Sequence, residues 1–146
     1  MSGEDYHMHY TAAKLQTNLA GKKILLVEDH KLNMEIAKKI LEKKQMKVTC
    51  AYNGAEAVAL FEKMPEYTFD AVIMDIRMPV MNGLEAAAAI RAGAKADAKT
   101  IPIIAMSANA FAEDMEKSRR AGMNRHVAKP VEPERLFGVL SEIFSD

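Results

Sequence analysis

The chain has 146 residues, enough for one domain of ordinary size that buries roughly two thirds of its unfolded surface without a metal or disulfide staple. Twenty acidic residues balance twenty basic ones, which leaves no basic field for nucleic acid and no polybasic anchor for a membrane. The lone Cys50 excludes an intrachain disulfide and suits a reducing, cytoplasmic compartment; no apolar run approaches the ~20 residues of a membrane span, and no signal-peptide core opens the chain.

Residues 1–21 stand apart from the rest. "MSGEDYHMHY" is polar and aperiodic, as in a flexible segment or linker, and His7 and His9 form at most a weak metal pair. "TAAKLQTNLAG" supports one or two helical turns between Thr11 as N-cap and Gly21 as stop. Regular patterning begins at Lys22. "KKILLVE" is an apolar run of strand length, as expected of a strand covered on both faces. In "HKLNMEIAKKILEKKQ", Leu32, Ile36, Ile40 and Leu41 recur at helical spacing with basic residues between them, predicting an amphipathic helix.

"KVTCA" reads as the second strand. Asn53 with Glu56 resembles a capping box, opening a helix through Val58 and Phe61 to about Met64. "DAVIMD" is the third strand, "GLEAAAAIRA" an Ala-rich helix and "IPIIAMS" the fourth strand. "AFAEDMEKSRRAG" is a helix with Arg119 and Arg120 in its last turn and Gly122 as its stop. "RHVAK" is the fifth strand, and Pro133 sits in the first turn of a helix ending near Phe144. The eleven methionines are expected to fill the core. Strand and helix alternate five times, which predicts an α/β sandwich with a mostly parallel five-stranded sheet and helices on both faces.

In such a sheet ligands gather beyond the carboxyl ends of the strands. The first strand ends in Glu28 and Asp29, the third in Asp75, the fourth in Ser107 and the fifth in Lys129 and Pro130. The fold would therefore bring three carboxylates, a hydroxyl and an amine to one edge. Carboxylates so placed repel one another unless a cation joins them, and a hard divalent ion with oxygen ligands, Mg²⁺ (or Mn²⁺), is the natural partner. Such an ion and Lys129 would admit an anionic phosphoryl group, Ser107 could donate a hydrogen bond to it, and Asp75 could attack it as a nucleophile. Alone, each residue has a plainer reading: Asp29 as a helix cap, Glu28 as a solvated strand end, Asp75 as a turn residue, Lys129 as a surface lysine.

The pieces "ILLVEDH", "VIMDIRMPVMNGLE", "IPIIAMSA" and "GMNRHVAKPV", in that order and at these separations, resemble the response-regulator receiver domain of two-component phosphorelays, over about Lys22 to Phe144. "LNMEIAKKILEK", "PVMNGLEA" and "AGMNRHVAKP" are similar to receivers of hybrid sensor histidine kinases. The resemblance implies a flavodoxin-like, doubly wound parallel sheet in the order 2-1-3-4-5 with five helices, a three-layer sandwich occupying residues 22–146. It implies Asp75 as the acceptor of a phosphoryl group from a partner's phosphohistidine. Asp29 and Asp75 would then bind Mg²⁺ by their side chains, Arg77 by its backbone carbonyl and Glu28 through a water. Ser107 would move toward the phosphate, Lys129 would bind it, and the Lys129–Pro130 bond would be cis. Ala108 is small, as suits a site that a phosphodonor must reach.

Two positions depart from the family pattern. His126 stands where a switching Tyr or Phe is common and could make the switch pH-sensitive. Arg125 replaces a residue that is often acidic, and Arg77 and Asn109 occupy positions that influence acyl-phosphate lifetime. The implied partners are a histidine kinase or a histidine phosphotransfer domain, with a phosphorylation-dependent homodimer as a further option. No output domain follows residue 146, so docking is the expected readout. The module would catalyse only its own phosphorylation and dephosphorylation, in the cytoplasm, as part of a hybrid kinase or as a stand-alone regulator. A haloacid-dehalogenase-like phosphotransferase would want a second Asp where Arg77 stands. A flavodoxin-type cofactor binder would want a hydroxyl- and Gly-rich loop where Glu28 and Asp29 stand. A receiver-like interaction module that never meets phosphate is the remaining alternative.

Overall fold

The computed structural model describes residues 18–108 and 112–145. Five strands and five helices alternate among them: β1 (Lys23–Val27), α1 (Lys31–Lys43), β2 (Lys47–Ala51), α2 (Gly54–Lys63), β3 (Ala71–Asp75), α3 (Gly83–Ala92), β4 (Ile103–Ser107), α4 (Ala112–Arg120), β5 (Arg125–Ala128) and α5 (Pro133–Phe144). All strand pairs are parallel and the order is β2-β1-β3-β4-β5, as the resemblance implied. His7, His9, Thr11 and Asn109 lie outside the described residues. Leu19, before the expected boundary at residue 22, is buried, and the Gly21 N–H donates to the Gln45 carbonyl at 2.9 Å.

The strands are apolar on both faces because both faces are covered. Alternate residues go to opposite sides, as the two-residue period of a strand requires. Leu25, Val27, Val72, Met74, Ile103 and Ala105 pack with Ala57 and Phe61 of α2 and Ala86, Ala87 and Ile90 of α3. Ile24, Leu26, Ile73, Ile104, Met106 and Val127 pack with Met34, Ala37 and Leu41 of α1 and Leu136 and Leu140 of α5. Each large side chain fully buried there contributes roughly 2 kcal/mol of transfer free energy. The methionine expectation holds at Met34, Met46, Met74, Met78, Met106 and Met123, which are buried, whereas Met115 is exposed.

The apolar stripe expected on α1 is corrected. Ile40 and Leu41 face the core, but Leu32 is 62% and Ile36 47% exposed, and Met34 and Ala37 take the inner positions instead. Residues four apart are offset by about 40° around a helix, so the line Leu32–Ile36–Ile40 drifts off the sheet toward its amino end. The starts of α2 and α3 follow their caps. Asn53 accepts the Glu56 N–H at 2.8 Å, and Asn82 forms a full capping box with Glu85 at the start of α3. Gly83 admits no side chain there, since a Cβ would stand 2.2 Å from the Asp75 carbonyl oxygen. That close approach seats the α3 start directly against the exit of β3.

Candidate functional site

In an open parallel sheet, the crevice lies where neighbouring strands send their chains to opposite faces. Here that point is between β1 and β3, which pair directly and are followed by α1 and α3 on opposite faces. Glu28 leaves β1 and Asp75 ends β3; both are buried, at 1% and 5% exposure, while Asp29 is exposed. The N-cap of α1 is His30, without a side-chain capping bond, so Asp29 is not that helix's cap. One carboxylate oxygen from each of Glu28, Asp29 and Asp75 falls within 4.8 Å of the others. These donors suit a hard cation, being all oxygen and all anionic, with an open side at Asp29 for retained water.

Lys129 reaches the same point from the far edge of the sheet. Its Nζ donates to Glu28 Oε2 and to Asp75 Oδ2, both at 2.7 Å. The remaining carboxylate oxygens take backbone donors: His30 N–H to Glu28 Oε1 at 3.1 Å and Arg77 N–H to Asp75 Oδ1 at 3.3 Å. Burial pushes the Glu28 carboxyl above its ordinary value, a shift the Lys129 hydrogen bond opposes and the neighbouring Asp75 charge reinforces. Burial alone would lower Lys129, but its hydrogen bonds to Asp75 and Glu28 outweigh that and hold the ammonium above its ordinary range. A protonated lysine between two desolvated carboxylates is the electrostatic balance that lets this cluster exist in a buried place.

Ser107 is buried at the end of β4, and its carbonyl accepts the Lys129 N–H at 2.9 Å, joining the strand exits. Ala108 beside it is exposed, and the Lys129–Pro130 peptide bond is cis. Ala108, Lys129 and Glu28 share a cavity of about 350 Å³ with Ile36, Met106 and Pro130. Arg77 is exposed, two residues after Asp75. Val80 in the same loop is 84% exposed with φ of 72°, a left-handed conformation that is strained for a β-branched residue.

His126 lies away from this cluster. Val127 faces α1 and α5, so His126, its neighbour on β5, turns to the α4 side, lining a cleft with Met115, Arg119 and Asn124. Both its ring nitrogens are buried, with no hydrogen-bond partner among the described residues. Burial lowers its pKa, which the Asp114 charge partly restores. The structure thus gathers Glu28, Asp29, Asp75, Lys129 and the end of β4 bearing Ser107, and leaves His126 apart. Arg91, which ties the opposite end of the sheet together, carries no sequence signal beyond a basic residue in a last helical turn.

The model of the response regulator receiver domain family matches residues 24–141. The hybrid signal transduction histidine kinase I of Dictyostelium discoideum is 35% identical over 122 residues, covering 82% of this chain but 7% of that protein. Histidine kinase 3 of Arabidopsis thaliana is 33% identical, covering 95% of this chain and 15% of that protein. The chain thus spans a small part of the kinases it matches. Among solved structures, the receiver domain of the sensor histidine kinase PA1611 from Pseudomonas aeruginosa PAO1, described with a magnesium ion coordinated in the active site cleft, superposes with a TM-score of 0.77. It is 36% identical, and the match covers 87% of this chain and 100% of that one.

Proposed function

The chain belongs to the response regulator receiver domain family of two-component signalling, and from that premise we propose that Asp75 accepts a phosphoryl group from a phosphohistidine on a partner protein. The observation that carries this reading is the cluster itself: two buried carboxylates, Glu28 and Asp75, each 2.7 Å from one lysine ammonium, with exposed Asp29 alongside. A carboxylate oxygen of Asp75 attacks phosphorus as the P–N bond breaks, the imidazole leaves with the electron pair, and an acyl phosphate forms. Lys129 transfers its hydrogen bond from the carboxylate to the phosphoryl oxygens, and Ser107 donates to another. Glu28, Asp29, Asp75 and the Arg77 carbonyl would hold Mg²⁺ (or Mn²⁺), which neutralises the developing charge when bound.

The added charge at the strand exit then draws Ser107 inward and biases the segment leading into α4. His126, whose ring nitrogens have no hydrogen-bond partner among the described residues and which shares a cleft with α4, is proposed to feel that change. The partner's phosphohistidine-bearing helix is proposed to cover the exit face, where Leu32, Ile36, Tyr52 and Val80 are exposed and Ile36 lines the cavity beside Lys129. Such a partner is a histidine kinase or phosphotransfer domain, and a hybrid kinase with this domain on its cytoplasmic side is the parent context that suits the relatives.

Incubation with Mg²⁺ and acetyl phosphate followed by intact-mass measurement tests the chemistry. One phosphoryl adduct on the parent chain and none on Asp75→Asn is expected; an equal adduct on both would sink the assignment of Asp75. Leu32→Glu tests the docking face, and is expected to slow transfer from a phosphohistidine protein far more than labelling by acetyl phosphate. Equal slowing of both would remove Leu32 from that face.

A further inference from the structure

β5 delivers Lys129 to the site, yet little in its own sequence fixes where it sits. Among the described residues it is four residues long, lies at the edge of the sheet, pairs only with β4, and buries only Val127. Register in a strand is set by its buried face and by its ends, and a one-residue slip would turn every side chain to the opposite face. A slip here would point Lys129 away from Asp75. With one buried residue to hold it, the register of β5 depends on its ends.

The entry end is held by two residues that no site reading has used. The Asn124 N–H donates to the Ile103 carbonyl at 2.7 Å, while Asn124 Oδ1 accepts the Ile103 N–H at 2.8 Å. The same Oδ1 accepts Arg91 Nη2 at 2.9 Å. Arg91 comes from the last turn of α3 and also donates Nε and Nη2 to the Gly122 carbonyl, at 3.0 and 2.8 Å, and Nη1 to the Ala98 carbonyl at 3.0 Å. All four bonds end on neutral oxygens. The guanidinium is too rigid a fork to serve these acceptors in a shifted geometry. Gly122 has φ of 101°, and a Cβ there would stand 2.8 Å from Arg91 Cγ, so the chain turns into β5 pressed against this side chain.

We infer that Arg91 and Asn124 are positioning residues for phosphoryl transfer, their bracket at the entry of β5 setting the register that carries Lys129 to Asp75. The inference rests on the phosphoryl-accepting reading given above. Asn124 and Lys129 are five residues apart, roughly 16 Å along an extended strand, so the bracket acts through the strand and touches neither phosphate nor metal.

The test is Asn124→Ala in the full chain, labelled so that the Lys129 side-chain NMR signal can be followed. The folded variant is expected to lose about tenfold in its rate of labelling by acetyl phosphate, the order of loss that misplacing a reacting-site group by a fraction of an ångström produces. Its Lys129 signal moves toward that of a solvent-exposed lysine, while Mg²⁺ affinity holds, because the carboxylates sit on other strands. Asn124→Asp restores both readouts, since Asn124 uses only its oxygen in these two side-chain bonds. A folded Asn124→Ala with an unmoved Lys129 signal overturns the inference, whether or not the rate falls. Should Asn124→Ala fail to fold, Arg91→Lys, which keeps the cation and loses the fork, is read in the same way. Failure of the underlying reading looks different: the parent chain takes no phosphoryl group, while the Lys129 signal still reports on the bracket.

Discussion

The two ends of the parallel sheet bury charge in opposite ways. At the exit end, Lys129 sits between Glu28 and Asp75, and every partner is itself charged. At the entry end, Arg91 is held by the Gly122 and Ala98 carbonyls and by Asn124 Oδ1, all neutral. Burial lowers the Arg91 pKa, but a guanidinium remains charged throughout the accessible range. The exit cluster is a set of charges that a cation or a phosphoryl group can rearrange, because each ion has alternatives. The entry bracket has none: fixed dipoles around a rigid fork. One end of the sheet is built to exchange partners, the other to keep them, and α3 links them, with its capping box at the exit and Arg91 at the entry.

Substitutions that separate function from stability break or sharpen this contrast. The largest effect is expected from Asp75→Asn, with labelling by acetyl phosphate falling to background. The same change removes one of two buried like charges, so the urea midpoint should equal or exceed that of the parent chain. A clear loss of stability would mean that the exit cluster holds the fold together, contrary to the contrast. Arg91→Ala should act on stability as well as on the placement of Lys129. It strips donors from the Ala98 and Gly122 carbonyls, which are away from full solvent, and from exposed Asn124 Oδ1, and should cost about 2–4 kcal/mol in urea unfolding, with Mg²⁺ affinity unchanged. A cost below about 0.5 kcal/mol would show those acceptors are satisfied by water and the bracket dispensable.

Smaller effects lie between the ends. Asn82→Ala removes the capping box of α3 and should cost about 1 kcal/mol by the same measurement, with Asn82→Asp retaining most of it. The smallest concerns His126, midway along β5. Burial lowers its folded pKa below the ordinary 6.5, so folding favours the neutral ring. Its contribution to stability is present above about 6.5 and is lost as pH falls through the folded value. Urea midpoints measured between pH 7.5 and 5.5 should therefore fall more steeply for the parent chain than for His126→Phe. Parallel curves would show that the ring swings out to water at no cost.

Asp75, Glu28 and Asp29 were legible in the sequence because they follow unmistakable apolar strands, and Lys129 because its short strand is the last of the alternation; a parallel sheet leaves few places for strand ends to go. The drift of Leu32 and Ile36 off the core was not legible, since periodicity gives an apolar stripe but not the angle at which the helix meets the sheet. Arg91 was hidden for a different reason: its partners lie 7 and 31 to 33 residues away and are mostly backbone carbonyls, which leave no side-chain pattern. Asn124 in "GMNRH" looks like any turn residue until Ile103 is placed beside it.

The sequence by itself determined the alternation of strands and helices, the two covered faces of the sheet and the charged residues at its exit. These are local properties, written in periods of two and of about 3.6 residues and in the polar residue that ends each run. Only the tertiary structure decided that one ammonium would bridge carboxylates 54 and 101 residues distant, that the His126 ring nitrogens would be buried with no partner among the described residues, and that a guanidinium at the far end would bond the entry of the strand bearing that ammonium. Those outcomes depend on distances between segments remote in the chain, which are fixed when the helices close over both faces of the sheet and water is excluded from between them.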